Sequence, residues 1–493
     1  MTQQKPFIIG ISGESGVGKS TMANIISLFF GEENILAIST DDLHKWERHN
    51  PMWSGVTHLN PNANNLELGD SHLETLANNK PIWRSSYNHK SGWFNAPVKL
   101  EAKPIIVVEG LHAFYTDTSN ALIDLKIFVD VDKNIVTHWK LIRDTEQRGY
   151  KYNDVLEIIK KRSHDTAMLK EKQISLADIV VKIDAISQIK NLGDKHESVD
   201  ISVSIKRNTN KFVPRGLLEF IRTYLCDFKD FTKASEIIGQ SVEMCQNGGG
   251  NISVKTGDFM IIKASGYDIK DINCLNGYSI IHPTDSRQIL NSLSEIQLSL
   301  ILKRIGMKHK IPSMEVGFHL LLKKYVIHVH SIYPTTLLCL ENSKQITDTL
   351  WGHMKYEYIP YVTPGYDLFE VFRKSDLSKN VYFLENHGIV VSSDSLDEAI
   401  SLVNEINDIA KKYIKNQDGT EEFDILFAGR ESDTRFAFPD AAVFFNNVNK
   451  KETIAAHNYI NIIGPKIGKI RHLTDTQIKM ILGLESEKHR QTL

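Results

Sequence analysis

Cysteine is scarce: Cys226, Cys245, Cys274 and Cys339 are the only four in 493 residues, and none forms a C-x-x-C pair. This excludes a disulfide framework and an all-cysteine zinc site, and it suits a reducing, cytoplasmic setting. Long apolar runs are missing as well, since nothing approaches the ~18 residues of a membrane span, so no membrane partner is expected. The apolar start Phe7–Ile11 is too short for a signal sequence and runs into a glycine loop, which reads as a first buried strand. An excess of one charge is also absent. With 58 Lys and Arg against 60 Asp and Glu, net −2, no field draws the whole protein onto nucleic acid, and no nucleic-acid partner is expected. Internal repeats at solenoid periods and low-complexity tracts are lacking too.

What is present suits two or three ordinary domains, at roughly 150 residues each. Residues 7–183 alternate short apolar runs (Phe7–Ile11, Ile35–Ser39, Ile105–Val108, Leu125–Val131) with helical patterns (Ser20–Phe30, Val136–Gln147). That rhythm predicts a doubly wound, parallel α/β sheet. The texture turns polar from about 184 to 214, with one alternating piece at Val199–Ile205. The boundary is placed near 210, giving domains 1–208 and 209–493. The second half opens with a helical pattern over Leu217–Met244. Strands follow at Asn251–Lys255, Phe259–Ala264, Val326–His330 and Tyr382–Leu384, then a helix at Ser395–Tyr413. The last ~65 residues carry little legible signal.

Gly13-Glu14-Ser15-Gly16-Val17-Gly18-Lys19-Ser20-Thr21 matches G-x-x-x-x-G-K-[ST] between a buried strand and a helix. Glycines there let backbone N–H groups turn onto phosphate oxygens, Lys19 reaches the β/γ-phosphates and the Ser20 hydroxyl serves Mg²⁺. The pattern therefore predicts an ATP or GTP site. Asp41, at the end of the second strand, is placed to take a proton from an attacking hydroxyl. Glu109 ends the strand Ile105–Val108 as a second, metal-linked carboxylate. Arg143 and Arg148 suit a lid closing over transferring phosphate.

The ordered set Asp41-x-x-His44-x-x-x-Arg48, Tyr87-Asn-His89, Glu109-Gly-Leu-His112 and Arg143-Asp-x-x-x-Arg148-Gly, together with the P-loop, resembles the phosphoribulokinase/uridine kinase family over about residues 6–183. The resemblance implies that Asp41 is the catalytic base, Arg143 and Arg148 lid arginines, and His44, Arg48, Tyr87 and His89 acceptor-site residues, with ATP and Mg²⁺ as cofactors. His44 and Arg48 match the phosphoribulokinase side, which favours a sugar or sugar phosphate over a nucleoside.

The second half holds His328-Val-His330. Nineteen histidines make one such pair close to a chance event, but here it lies on a strand, where i and i+2 side chains share a face and can bind one ion. His387, just past another apolar run, is a third candidate. Three imidazoles around zinc leave an open position that polarises a carbonyl.

In order, Gly249-Gly250-Asn251-Ile-Ser253, Ile262-Lys-Ala-Ser265-Gly266, Pro312-Ser313-Met-Glu315, the histidine pair and Glu385-Asn-His387-Gly resemble the class II aldolase/adducin family, fuculose-phosphate aldolase-like, over about residues 215–420. By that resemblance the fold is an α/β domain with a central, mostly antiparallel sheet. His328, His330 and His387 would hold Zn²⁺, Asn251, Ser265, Gly266 and Ser313 would surround a substrate phosphate, and Glu315 would be the acid/base. A distal tyrosine stays open among Tyr358, Tyr361 and Tyr366. The resemblance also implies sites completed at subunit contacts, hence a homo-oligomer, a tetramer through the second half.

Together these readings predict a P-loop kinase fused to a zinc aldolase, acting on sugars and sugar phosphates. The alternatives are a uridine or other nucleoside kinase, a second half that is an epimerase or dehydratase, and a metal-free adducin-like interaction module.

Overall fold

The computed structural model describes residues 5–88, 91–147, 151–185, 199–205, 214, 216–272, 276–308, 310–417, 421–485 and 487–488. The chain divides into two compact units, Met1–Cys226 and Asp227–Leu493.

The first unit is built on strands β1 (Phe7–Gly13), β2 (Ile35–Ser39), β5 (Ile105–Gly110), β6 (Leu125–Val131), β7 (Ile179–Ala185) and β8 (Val199–Ile205), in the order β2-β5-β1-β6-β7-β8. All neighbours pair in parallel except β8, which runs antiparallel to β7, so the Val199–Ile205 piece belongs to this sheet. A separate two-stranded piece joins β3 (Ile82–Arg84) to β4 (Val98–Leu100). Ile8, Ile9, Ile11, Ile106, Val107, Ile127 and Phe128 are fully buried, as a sheet covered on both faces requires. The chain winds to one side of β1 (β2, β5) and then to the other (β6, β7). The carboxyl end of β1 therefore lies at the switch point where such sheets bind ligands.

Val136–Gln147, read as one helix, is an α-helix over Lys133–Ile142 capped by Asp132, then a π-turn over Arg143–Gln147. Single π-turns of this kind concentrate at functional sites. In the second unit the opening helix ends at Gly239 rather than Met244. A Cβ on Gly239 would lie 2.5 Å from the Lys270 backbone nitrogen, so the helix stops at this close crossing.

The second sheet runs β11 (Tyr278–Ile281), β10 (Phe259–Lys263), β9 (Asn251–Thr256), β12 (Tyr325–Val329), β15 (Gly388–Ser393), β14 (Val381–Leu384), β13 (Tyr356–Ile359). Only β13 and β14 pair in parallel; the rest are antiparallel. Phe318, Val326, Phe372, Tyr382 and Val390 form a core on one face. Among the described residues no helix is long and apolar enough to cross a membrane.

Candidate active sites

In the first unit the loop between β1 and helix α1 (Lys19–Phe30) takes positive φ at Gly16 and Gly18, 85° and 89°, a conformation that L side chains resist. Lys19 Nζ donates to Glu14 O at 2.8 Å, and Ser20 Oγ donates to Glu109 Oε1 at 3.4 Å, linking the start of α1 to the end of β5. Burial pushes the Lys19 ammonium below its ordinary range, with the Asp41 and Glu109 carboxylates opposing. Burial likewise raises Glu109, with Lys19 opposing. Lys19, Asp41 and Glu109 thus share one electrostatic neighbourhood. Val17 is buried beneath the loop.

Gly16 shows how near the helix Lys133–Ile142 and the turn after it come: a Cβ there would lie 2.9 Å from Lys140 Cγ and 3.5 Å from an Arg143 guanidinium nitrogen. Lys140 Nζ stands 3.7 Å from Glu14 Oε2, and Arg143 Nε bonds Asp144 Oδ1 at 2.8 Å. On the acceptor side Asp42 is committed to structure. Its Oδ1 accepts from Tyr87 N at 2.7 Å and its Oδ2 from Arg84 Nε at 3.3 Å. His44 meets Tyr87 edge-on, ring centroids 5.0 Å apart, and Arg48 N donates to Gly92 O at 2.9 Å. Asp41, His44, Arg48 and Tyr87 therefore gather at the carboxyl end of β2. His89 and Arg148 lie outside the described residues.

In the second unit one ligand atom from each of His328, His330 and His387 lies within 4.8 Å of the others, all three residues buried. The tautomers follow from their partners. His328 Nδ1 faces Ile389 O at 2.9 Å, and His330 Nδ1 faces Asp440 Oδ2 at 2.7 Å, so with Asp440 ionised both rings carry the proton on Nδ1. Their Nε2 lone pairs then meet at 3.1 Å. Glu315 adds two more acceptors, Oε2 at 3.4 Å from His328 Nε2 and Oε1 at 3.6 Å from His387 Nε2. Lone pairs gathered in a buried space repel unless a cation lies among them, and this donor set suits zinc. Burial pulls the His328 imidazole below its usual range, which favours the neutral ring that a metal ligand requires.

Asn251 Nδ2 donates to Glu315 Oε2 at 2.7 Å and to Ser313 Oγ at 3.1 Å. Its Oδ1 meets His319 Nε2, while His319 Nδ1 bonds Ser253 Oγ at 2.7 Å. Glu315 Oε1 has no hydrogen-bond partner. A cleft of about 440 Å³ opens beside these groups, lined by Asn251, Ser265, Gly266, Ser313, Glu315, His330 and His387. The candidate phosphate residues thus share one space with the histidines. None of the three open tyrosines lines it. Tyr358 bonds Ser343 and Glu385, Tyr366 OH reaches Ser292 O, and the Tyr361 hydroxyl is buried.

Among the lining residues that escaped the sequence reading are Lys263 and Asp440. Lys263, only 3% exposed, donates to Tyr267 O at 2.7 Å; a lysine inside the apolar strand Phe259–Lys263 was a usable signal. Asp440 had none, being 110 positions from the histidine it bonds.

Comparison with known proteins matches residues 8–189 to the phosphoribulokinase/uridine kinase family and residues 230–414 to the class II aldolase and adducin N-terminal domain. The phosphoribulokinase of Synechocystis sp. is 36% identical over 176 residues, 36% of this chain and 53% of that protein. The chain thus spans about half the length of that curated relative. The uridine kinase of Oceanobacillus iheyensis is 30% identical over 221 residues, 44% of this chain and all of that protein. The N-terminal class II aldolase domain of a conserved protein from Thermoplasma acidophilum is 22% identical, covering 43% of this chain and all of that one, with TM-score 0.34. Its second half matches the class II aldolase and adducin N-terminal domain over residues 230–414, and through its first half the chain belongs to the phosphoribulokinase/uridine kinase family.

Proposed function

We propose that the protein is a bifunctional enzyme: an ATP-dependent kinase for a sugar-like hydroxyl, fused to a zinc-dependent lyase that cleaves or joins a ketose phosphate. The observation that carries this reading is the convergence of three imidazoles, two of them against the Glu315 carboxylate, in a cleft beside a glycine-rich turn, on a chain that also holds a P-loop.

In the kinase half, the P-loop amides and Lys19 bind the β/γ-phosphates. Asp41 accepts the proton of the acceptor hydroxyl as its oxygen bonds the γ-phosphorus, and the bond to the β-phosphate oxygen breaks, releasing ADP. Asp42 is spent on Tyr87 and Arg84, which supports Asp41 as the base. Ser20 and Glu109 would hold Mg²⁺, which would supply charge neutralisation for the phosphates. Arg143 covers the transferring group. The match of His44 and Arg48 to the phosphoribulokinase pattern supports a sugar or sugar phosphate as acceptor.

In the lyase half, His328, His330 and His387 would hold zinc, which supplies Lewis acidity toward a substrate carbonyl. Glu315 moves the proton. Asn251 fixes its Oε2 and leaves Oε1, 3.6 Å from His387 Nε2, to take the proton. Ser265, Ser313 and the backbone of Gly250 and Gly266 offer donors to a phosphate. The economical sequence is phosphorylation followed by cleavage to dihydroxyacetone phosphate and an aldehyde.

Metal analysis of the gel-filtered chain tests the second half: roughly one zinc per chain is expected from three histidines. A metal-free chain would instead favour an adducin-like interaction module. Product NMR separates cleavage from epimerisation or dehydration, and ADP release with uridine or cytidine would move the kinase to nucleosides.

A further inference from the structure

We infer that Asp440 is a positioning residue of the metal centre, holding His330 with its proton on Nδ1 and its lone pair on Nε2, and that the C-terminal segment is thereby part of the site. The inference rests on the zinc-lyase reading above. The class II aldolase match ends at residue 414, so this contribution comes from beyond the matched domain.

Asp440 sits in the first turn of the short helix Pro439–Phe444. Its Oδ2 lies 2.7 Å from His330 Nδ1, and both side chains are about 5% exposed. A buried carboxylate facing an imidazole N–H orients the ring, fixes its tautomer and strengthens the other nitrogen as a ligand. Space for the pair is kept by Gly249, where a Cβ would fall 2.5 Å from Asp440 Oδ2 and 2.9 Å from His330 Nδ1. The same segment grips a second histidine-bearing turn. Asn386, at φ 53° just before His387, donates through Nδ2 to Ala437 O and Arg471 O, both at 2.7 Å. Leu473 N closes the segment on Phe436 O at 2.7 Å. Two of the three metal-site histidines are thus held by residues 436–473.

The test is zinc affinity of the metal-stripped full chain by chelator competition, for wild type, Asp440→Asn and Asp440→Ala, with the apo melting midpoint recorded for each. Asp440→Ala is expected to bind zinc about 10- to 100-fold more weakly. Asp440→Asn, which keeps the volume, is expected to show a smaller but measurable loss. The visible spectrum of the cobalt-loaded form should change in both, while the apo midpoint and ADP formation stay near wild type. Wild-type zinc affinity and an unchanged cobalt spectrum in Asp440→Asn would overturn the inference, even if Asp440→Ala misfolds. Absence of zinc binding by the wild-type chain would instead remove the reading beneath it.

Discussion

The two oxygens of the Glu315 carboxylate differ: Oε2 is anchored by Asn251, while Oε1 is buried 3.6 Å from His387 Nε2. Glu315→Gln keeps the shape and removes the proton acceptor. It should lower triose phosphate release about 10²- to 10⁴-fold, with ADP formation unchanged. A loss below threefold would reassign the proton transfer. In the kinase half, burial takes His112 down to about 4 from 6.5, with a hydrogen bond to Leu59 O opposing. The native state therefore favours neutral imidazole. Below pH 6.5 the unfolded chain takes up a proton that the folded chain refuses until about pH 4, so stability is lost as pH falls through that window. The loss is about 3 kcal/mol, and His112→Asn should remove it from the pH profile. Urea titrations by tryptophan fluorescence report this, because five of the six tryptophans precede Cys226. At this scale the sequence showed what short motifs carry, such as Lys19, Asp41, Glu109, Glu315 and the histidines. It could not show Asp440, whose relation to His330 exists only after folding.

At the scale of elements, the site depends on a turn and two strands. β9 begins at Asn251, just past Gly249 and Gly250, and β12 carries His328, with His330 directly after its end in the same cluster. Gly250 takes φ 69°, and a Cβ on it would stand 2.6 Å from His328 O. Gly249→Ala should press on the Asp440–His330 bond and weaken zinc retention in dialysis against a chelator, without touching ADP formation. Full zinc retention would mean that the turn yields. The buried parallel strands were legible because both faces are apolar, giving continuous runs at β1, β2, β5 and β6. β3 and β4 are three residues each, too short for an alternation to announce them, and β4 is also largely exposed. β13 is equally faint, four residues of which only Ile359 is buried. The π-turn at Arg143 is invisible to a helical periodicity that continues through it.

For the whole molecule, the chain divides into two compact units, Met1–Cys226 and Asp227–Leu493. Each site's machinery lies within one unit, so the two activities should be separable. Lys19→Ala is expected to abolish ADP formation while leaving cleavage of a supplied ketose phosphate intact. Zinc removal should do the reverse. The most direct measurement incubates the full chain with ATP, Mg²⁺ and a panel of ketoses, following ADP and triose phosphate together. A bifunctional kinase–lyase predicts that at least one sugar yields both products, with a zinc chelator suppressing only triose phosphate. Neither ADP nor triose phosphate from any sugar in the panel would contradict it.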